Sequence, residues 1–279
     1  MSYISMRLYS KVLNHYADVE IYFPNDAPRG LHLPEIQGVM TLLHGYGATN
    51  KDWFDLSSSC RYAADNGLIL VVPDCGVSFY NDMVYGENWY TYVSEELPDL
   101  LNRTYHFPQG REHNFLAGFS MGGYGAMMIG MRHPERYAGV ASFSGAVDVK
   151  MMIDLYREQG KSRRIFTPVF GEDLYLPEES DLHHLIHRIS ELPAEEQPKL
   201  LFTCGSEDDA PFYIHQENQS LYRDAHTLPL ANYRYMEWEG KHEWKFWDRS
   251  LVYAIDWFVS PGYAKATQHD WASIAEVYT

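Results

Sequence analysis

The chain has 279 residues, 46% of them hydrophobic and 15% aromatic, and a formal net charge of −16. That apolar share is enough for a sizeable core and excludes a disordered chain; the acidity, with no basic run anywhere, argues against nucleic acid, whose phosphate backbone would be repelled. The three cysteines, Cys60, Cys75 and Cys204, are odd in number and widely spaced, so they suit a reducing cytoplasm better than a disulfide framework.

Met1–Lys11 contains no apolar run of signal-peptide length, and no later stretch is long enough to span a bilayer. The expectation is a cytoplasmic protein with no membrane partner. In chain order, strands are predicted at Tyr16–Phe23 and Val39–Leu43, then a helix at Leu56–Asn66 and a strand at Leu68–Val72. A helix over Tyr90–Arg103, a strand at Asn114–Ala117, a helix over Gly123–Arg132 and a strand at Gly139–Phe143 follow. The last part reads as a strand at Leu200–Thr203, a helix over Ala210–Asp224, a strand at Tyr233–Trp238 and a helix over Lys245–Phe258. Such alternation predicts a mostly parallel sheet with helices on both faces.

Val147–Pro198 interrupts this rhythm with two amphipathic patterns, Lys150–Gln159 and Asp181–Leu192, around a loop rich in Pro, Gly and aromatics. About fifty residues would struggle to fold alone, so the segment is expected to be a cap inserted into one domain spanning residues 1–279. Its aromatics Phe166, Phe170 and Tyr175 are expected to shape the entrance more than to hold the fold.

The strongest chemical signal is Gly118-Phe119-Ser120-Met121-Gly122, directly after a strand and opening a helix. A serine on so sharp a turn needs small neighbours two residues to either side, because the backbone is strained and side chains there would clash. A glycine-rich turn with a solvent-facing serine is the competing interpretation, and the strand–helix context disfavours it. An enzyme of this kind needs two backbone N–H donors for an oxyanion, one just after the serine and one after an upstream strand. Met121 supplies the first; Leu42-Leu43-His44-Gly45-Tyr46-Gly47 offers Tyr46 as the second, with Gly45 and Gly47 as alternatives.

The acid and base then follow in the chain order Ser, acid, His. His242 lies in the loop between the last strand and last helix, and Phe246 rules out an H-E-x-x-H zinc motif there. His183 and His187 have metal-ligand spacing but no evident third ligand, so they read as a solvated helix face. The loop after Leu200–Thr203 holds three carboxylates, Glu207, Asp208 and Asp209, and spacing alone does not choose among them. Asp209 precedes Ala210-Pro211 and has a second expected job as a helix N-cap.

With these elements in order, the chain resembles the putative-esterase (esterase D) branch of the α/β-hydrolases, and within it the tributyrin esterases of Gram-positive bacteria. The markers are LLHGYGATNKDW at 42–53, YVSEELPDLL at 92–101, GFSMGGYGAM at 118–127, SFSGAVD at 142–148, VFGED at 169–173, CGSEDD at 204–209 and GKHEWKFW at 240–247. The resemblance implies the α/β-hydrolase fold and a Ser120–His242–Asp208 triad, because the family's acid is the fifth residue of C-G-x-x-D and its histidine sits in G-x-H-x-W. It implies hydrolysis of small-molecule, short-chain acyl esters without cofactor or metal, and leaves homo-oligomerisation open.

S-formylglutathione hydrolases in the same branch carry Leu-Thr-Cys and Ser-Tyr-Tyr runs. This chain has Tyr46-Gly47-Ala48 and Glu243-Trp244-Lys245 instead, so that thioesterase role ranks second, beside feruloyl and acetyl esterases. An acyltransferase or a non-catalytic binding protein ranks lower. Trp53, Phe79, Trp89, Phe119 and Trp244 lie near the motif loops and are the candidate walls of an acyl pocket.

Overall fold

The computed structural model describes residues 2–25, 35–160, 162–267 and 276–278. Segments such as Leu68–Pro73 (LILVVP) are apolar throughout and bury every residue, which requires cover on both sides of the sheet. Nine strands supply that sheet: β1 Ser2–Ser10, β2 His15–Phe23, β3 Gly38–Leu43, β4 Leu68–Pro73, β5 Asn114–Phe119, β6 Gly139–Phe143, β7 Lys199–Gly205, β8 Tyr233–Trp238 and β9 Glu276–Tyr278. Their order is β1-β2-β4-β3-β5-β6-β7-β8-β9. The five pairings from β4–β3 to β7–β8 are parallel, and β1–β2, β2–β4 and β8–β9 are antiparallel.

The helices are α1 Asp52–Asp55, α2 Ser59–Asn66, α3 Trp89–Thr91, α4 Leu97–Tyr105, α5 Met121–Arg132, α6 Val149–Glu158, α7 Ser162–Phe170, α8 Leu182–Ser190, α9 Ile214–Ala225, α10 Trp244–Phe258 and α11 Tyr263–Ala266. A π turn, Tyr92–Glu96, joins α3 to α4. Alternate residues of each central strand feed two cores. Val39 and Leu43 of β3 face a core shared with α4, α5, α8 and α9; Met40 and Leu42 face one shared with α2 and α10. This strand order, mostly parallel pairing and two-sided helical cover are the α/β-hydrolase architecture.

The topology also places the site. From β3 the chain steps outward to β4, then returns to form β5 on the other side of β3. The loops leaving β3 and β5 therefore part at a switch point, where open α/β sheets leave a crevice beyond their carboxyl ends. Leu43 pairs with Gly118 across this junction, so His44-Gly45 lies alongside Phe119-Ser120.

Seven predicted strands and all the predicted helices are present with shifted ends; β1, β9, α1, α7 and α11 were not expected. β1 is an edge strand that exposes Tyr3, Ser5, Arg7 and Tyr9 on one face and only partly buries Met6 and Leu8 on the other, so it carries little apolar signal. Pro168 stands inside α7 and disguises it, yet Phe166, Val169 and Phe170 are buried along its inner face. The carbonyls of Pro168 and Val169 accept from the amides of Tyr85 and Val84, so a neighbouring loop caps its last turn.

The interruption after β6 divides in two. α8 packs on α5 and α9 and belongs to the layer covering the sheet, whereas α6 and α7 pack on each other above the carboxyl end of the sheet. Phe166 and Phe170 are core residues here and Tyr175 is 69% exposed, so the expectation that these three shape the entrance is corrected.

Candidate active site

β5 runs buried into Ser120, whose backbone lies at φ 56° and ψ −123°, a strained conformation for a residue with a Cβ. Its cost is on the order of 1–3 kcal/mol and persists only where the surroundings over-determine it. They do: Ser120 N–H donates to Phe143 O at 3.0 Å, and Ser120 O accepts from Gly123 N at 2.9 Å and Ala146 N at 3.1 Å. A Cβ at position 118 would strike the Gly122 carbonyl, and one at position 122 would strike the Leu43 carbonyl, so both glycines are sterically required. The serine is thereby presented above the first turn of α5.

Distance separates the three carboxylates that spacing left equivalent. Asp208 is 2% exposed, and its Oδ1 and Oδ2 lie 3.1 and 3.0 Å from His242 Nδ1. Glu207 turns outward to Lys241 at 3.6 Å, and Asp209 is about half exposed, 3.8 Å from His215. With Nδ1–H donated to Asp208, the lone pair of His242 lies on Nε2. The imidazole is also gripped by rings, edge-on to Trp247 with centroids 4.9 Å apart and tilted against Phe212 at 5.3 Å. Ser120 and His242 open into the same cavity. No direct hydrogen bond joins them among the described residues, the looser geometry catalytic pairs often have before substrate tightens them.

The expected N-cap role of Asp209 is not observed. α9 begins at Ile214 after a cis Ala210-Pro211 bond, and the Asp209 backbone carbonyl, not its side chain, receives the Phe212 and Tyr213 amides.

Met121 N–H and Tyr46 N–H both border the cavity, and neither is engaged by another group among the described residues. The loop carrying Tyr46 is held by contacts the sequence did not suggest. His44 is fully buried; its Nδ1–H donates to Gly45 O at 2.9 Å and its Nε2 accepts from Cys75 N at 3.0 Å. Burial pushes its pKa down, which keeps the ring neutral in that tautomer. Tyr80 Oη donates to His44 O at 2.8 Å, and burial pushes that phenol well up, so it remains a donor. The His-Gly pair after β3 was visible in the sequence; Tyr80 and Cys75, over thirty residues away, were not.

The cavity has a volume of about 350 Å³. Phe119, Trp244 and Phe79 border it. Trp53 and Trp89 do not. Trp53 is fully buried behind the wall, edge-on to Phe119 and Trp244, with its indole N–H on Leu43 O at 3.1 Å. Trp89 packs against His15 and Tyr92 in the other core. Walls the sequence did not reveal come from distant elements: Met152 and Tyr156 of α6, Ile165 of α7, and Phe212 and Trp247 beside His242.

His183 and His187 are structural. His183 Nδ1 lies 2.8 Å from Asp224 and its Nε2 3.3 Å from Asp148, while His187 Nε2 lies 2.9 Å from Asp224. The hydrogen bond to Asp148 chiefly pushes His183 up to about 9, against the opposing effect of burial. Asp148 also caps α6 through Met151 N at 2.9 Å, so the cluster ties α6 to α8 and α9. No group of His, Cys, Asp and Glu among the described residues is arranged to hold a metal ion, and no helix among them is long and apolar enough to cross a membrane.

The family described as putative esterase matches residues 10–258. An acetyl esterase of Caldicellulosiruptor saccharolyticus is 25% identical over 266 residues, covering 92% of this chain and 98% of that one. Among solved structures, a fluorophosphonate-binding serine hydrolase of Staphylococcus aureus superposes with a TM-score of 0.77 at 24% identity, covering 92% of this chain and 98% of that one. An S-formylglutathione hydrolase of the same organism gives 0.75, also at 24% identity, with the same coverage of 92% and 98%.

Proposed function

Because the chain belongs to the putative-esterase family and is a carboxylic ester hydrolase, we propose that it is a serine esterase acting on short-chain acyl esters, with Ser120 as nucleophile, His242 as base and Asp208 as the carboxylate that orients it. The observation that carries this reading is one arrangement: a serine forced to φ 56° on a strand–helix turn and a histidine clamped by a buried aspartate open into one cavity.

In the first half-reaction His242 Nε2 takes the Ser120 proton as Oγ attacks the ester carbonyl carbon. The carbonyl π pair moves to oxygen, where Met121 N–H and Tyr46 N–H receive it, at ~3 kcal/mol per donor. Collapse of the intermediate expels the alcohol, which takes the proton from His242 and leaves an acyl-enzyme. Water, deprotonated by His242, then attacks that acyl group, and Ser120 recovers its proton. Asp208 stabilises the imidazolium in both halves and keeps Nδ1 protonated.

The enclosed apolar walls Phe79, Phe119, Met152 and Trp247 support a short acyl chain, which agrees with the resemblance to tributyrin esterases and with a small-molecule ester handled in the cytoplasm. Thioester hydrolysis on S-formylglutathione ranks second: among the described residues no Lys or Arg borders the cavity to receive a peptide carboxylate. The test is a series of nitrophenyl esters from acetate to laurate, beside feruloyl and S-formylglutathione substrates, with covalent labelling by a fluorophosphonate. Ser120→Ala should lose both turnover and labelling while its thermal stability stays within about 1 kcal/mol of the parent. Turnover near the parent level would remove the assignment.

A further inference from the structure

The cavity mouth differs in chemistry from its interior. Phe79, Phe119 and Trp247 are almost fully buried, whereas Tyr46 is 49% and Phe212 43% exposed, so these two rings form the outer rim. Asp52, partly buried at the start of α1, also borders the cavity and is the only carboxylate to do so among the described residues. Its Oδ1 accepts from Thr49 Oγ1 at 2.8 Å and its Oδ2 from Thr49 N at 3.4 Å. These neutral contacts fix its position without cancelling its charge. Among the described residues no Lys, Arg or His forms an ion pair with it, and no Lys or Arg borders the cavity.

From this arrangement we propose that Asp52 makes the site selective for esters whose alcohol half carries a positive charge, a substrate class that deepens and rests on the serine-esterase reading above. A cation leaving through the mouth meets a carboxylate and the negative faces of Tyr46 and Phe212, and both attract it. An alcohol half bearing a carboxylate is repelled by Asp52 and finds no Lys or Arg among the described cavity-lining residues to compensate. A neutral one gains neither effect. The net charge of −16 adds a long-range bias in the same direction, since an acidic protein concentrates cations near its surface. The apolar interior takes the short acyl group, so the two halves of the substrate are read by different chemistry.

Two acetate esters of nearly equal shape separate charge from fit: that of choline, and that of 3,3-dimethylbutanol, in which carbon replaces the quaternary nitrogen. At low ionic strength the parent enzyme should cleave the choline ester with a kcat/KM about fivefold or more above the neutral ester, the scale expected of a partly solvated carboxylate with two rings. Raising the salt should draw that ratio toward one, because the interaction is screened. Asp52→Asn keeps the shape and the Thr49 contact, and should bring the ratio to within about twofold, chiefly through KM for the choline ester. The salt series needs no variant, so poor folding of Asp52→Asn leaves a second readout. A parent ratio of one or below, or a salt-independent ratio unchanged in Asp52→Asn, overturns the proposal. A preparation that cleaves no ester and takes no fluorophosphonate at Ser120 would remove the serine-esterase reading itself, and this proposal with it.

Discussion

Asp208→Asn is the most discriminating perturbation of the site. Asp208 is 2% exposed and both its oxygens face His242 Nδ1, at 3.1 and 3.0 Å. Asn has nearly the same volume, so the loop and its backbone bond from Asp208 N to Gly205 O at 3.1 Å should survive. Two things are lost. The carboxamide can point its N–H₂ at Nδ1, which then holds the lone pair and leaves Nε2 protonated and unable to accept from Ser120. Even with its oxygen inward it carries no charge to balance the imidazolium. Together these should lower kcat by about 10³–10⁴, or about 4–5.5 kcal/mol, with KM little changed. Steady-state hydrolysis of nitrophenyl acetate gives the rates, and thermal unfolding shows whether the fold is intact. Asp209→Asn and Asp209→Ala should both be nearly silent, within about 0.5 kcal/mol of stability, since that side chain is about half exposed and caps no helix. An active Asp208→Asn enzyme beside a dead Asp209→Asn one would refute the assignment of the acid.

Tyr80→Phe should lower kcat about tenfold with KM within twofold, because the His44 carbonyl loses its buried donor and the Tyr46 amide its fixed aim; steady-state kinetics separate the two constants. Met152→Ala and Ile165→Ala should shift the acyl-length optimum upward, by about tenfold in the octanoate-to-butyrate ratio, while Tyr175→Ala, 69% exposed and outside the cavity, leaves the ratio unchanged. Phe166→Ala should instead cost about 3–5 kcal/mol in denaturant unfolding, because that ring is fully buried and packs on Phe79 with centroids 5.3 Å apart. His183 is pushed up to about 9 from an ordinary 6.5, so its stabilising contribution is complete below pH 6.5 and lost as the pH rises toward 9. Its 28% exposure weakens the effect by solvent screening, leaving about 2 kcal/mol. Unfolding measured from pH 6 to 9.5 should show this fall in the parent and not in His183→Gln.

Local chemistry is what the sequence could express. The elbow is legible because a serine at positive φ demands glycine at 118 and 122 whatever the rest of the protein does. Strands buried on both faces announce themselves as unbroken apolar runs, as in Leu68–Pro73, and chain order is enough to rank His242 above the other histidines. Where the pattern is weak the sequence was silent: β1 exposes its outer face, and α7 contains a proline.

The rest was decided by tertiary structure, because it depends on which distant residues the fold brings together. Glu207, Asp208 and Asp209 are neighbours in sequence and equivalent in chemistry; only the exit direction of β7 toward the loop of His242 separates them, at 3.0 Å for one and solvent for the others. The aromatic residues near the motifs all looked suited to the acyl pocket. The side a strand or helix presents to the sheet puts Phe119 and Trp244 on the cavity wall, buries Trp53 behind it and sends Trp89 into the other core. Met152, Tyr156 and Ile165 reach the cavity only because α6 and α7 fold back over the carboxyl ends of the strands, a consequence of packing that no local spacing encodes.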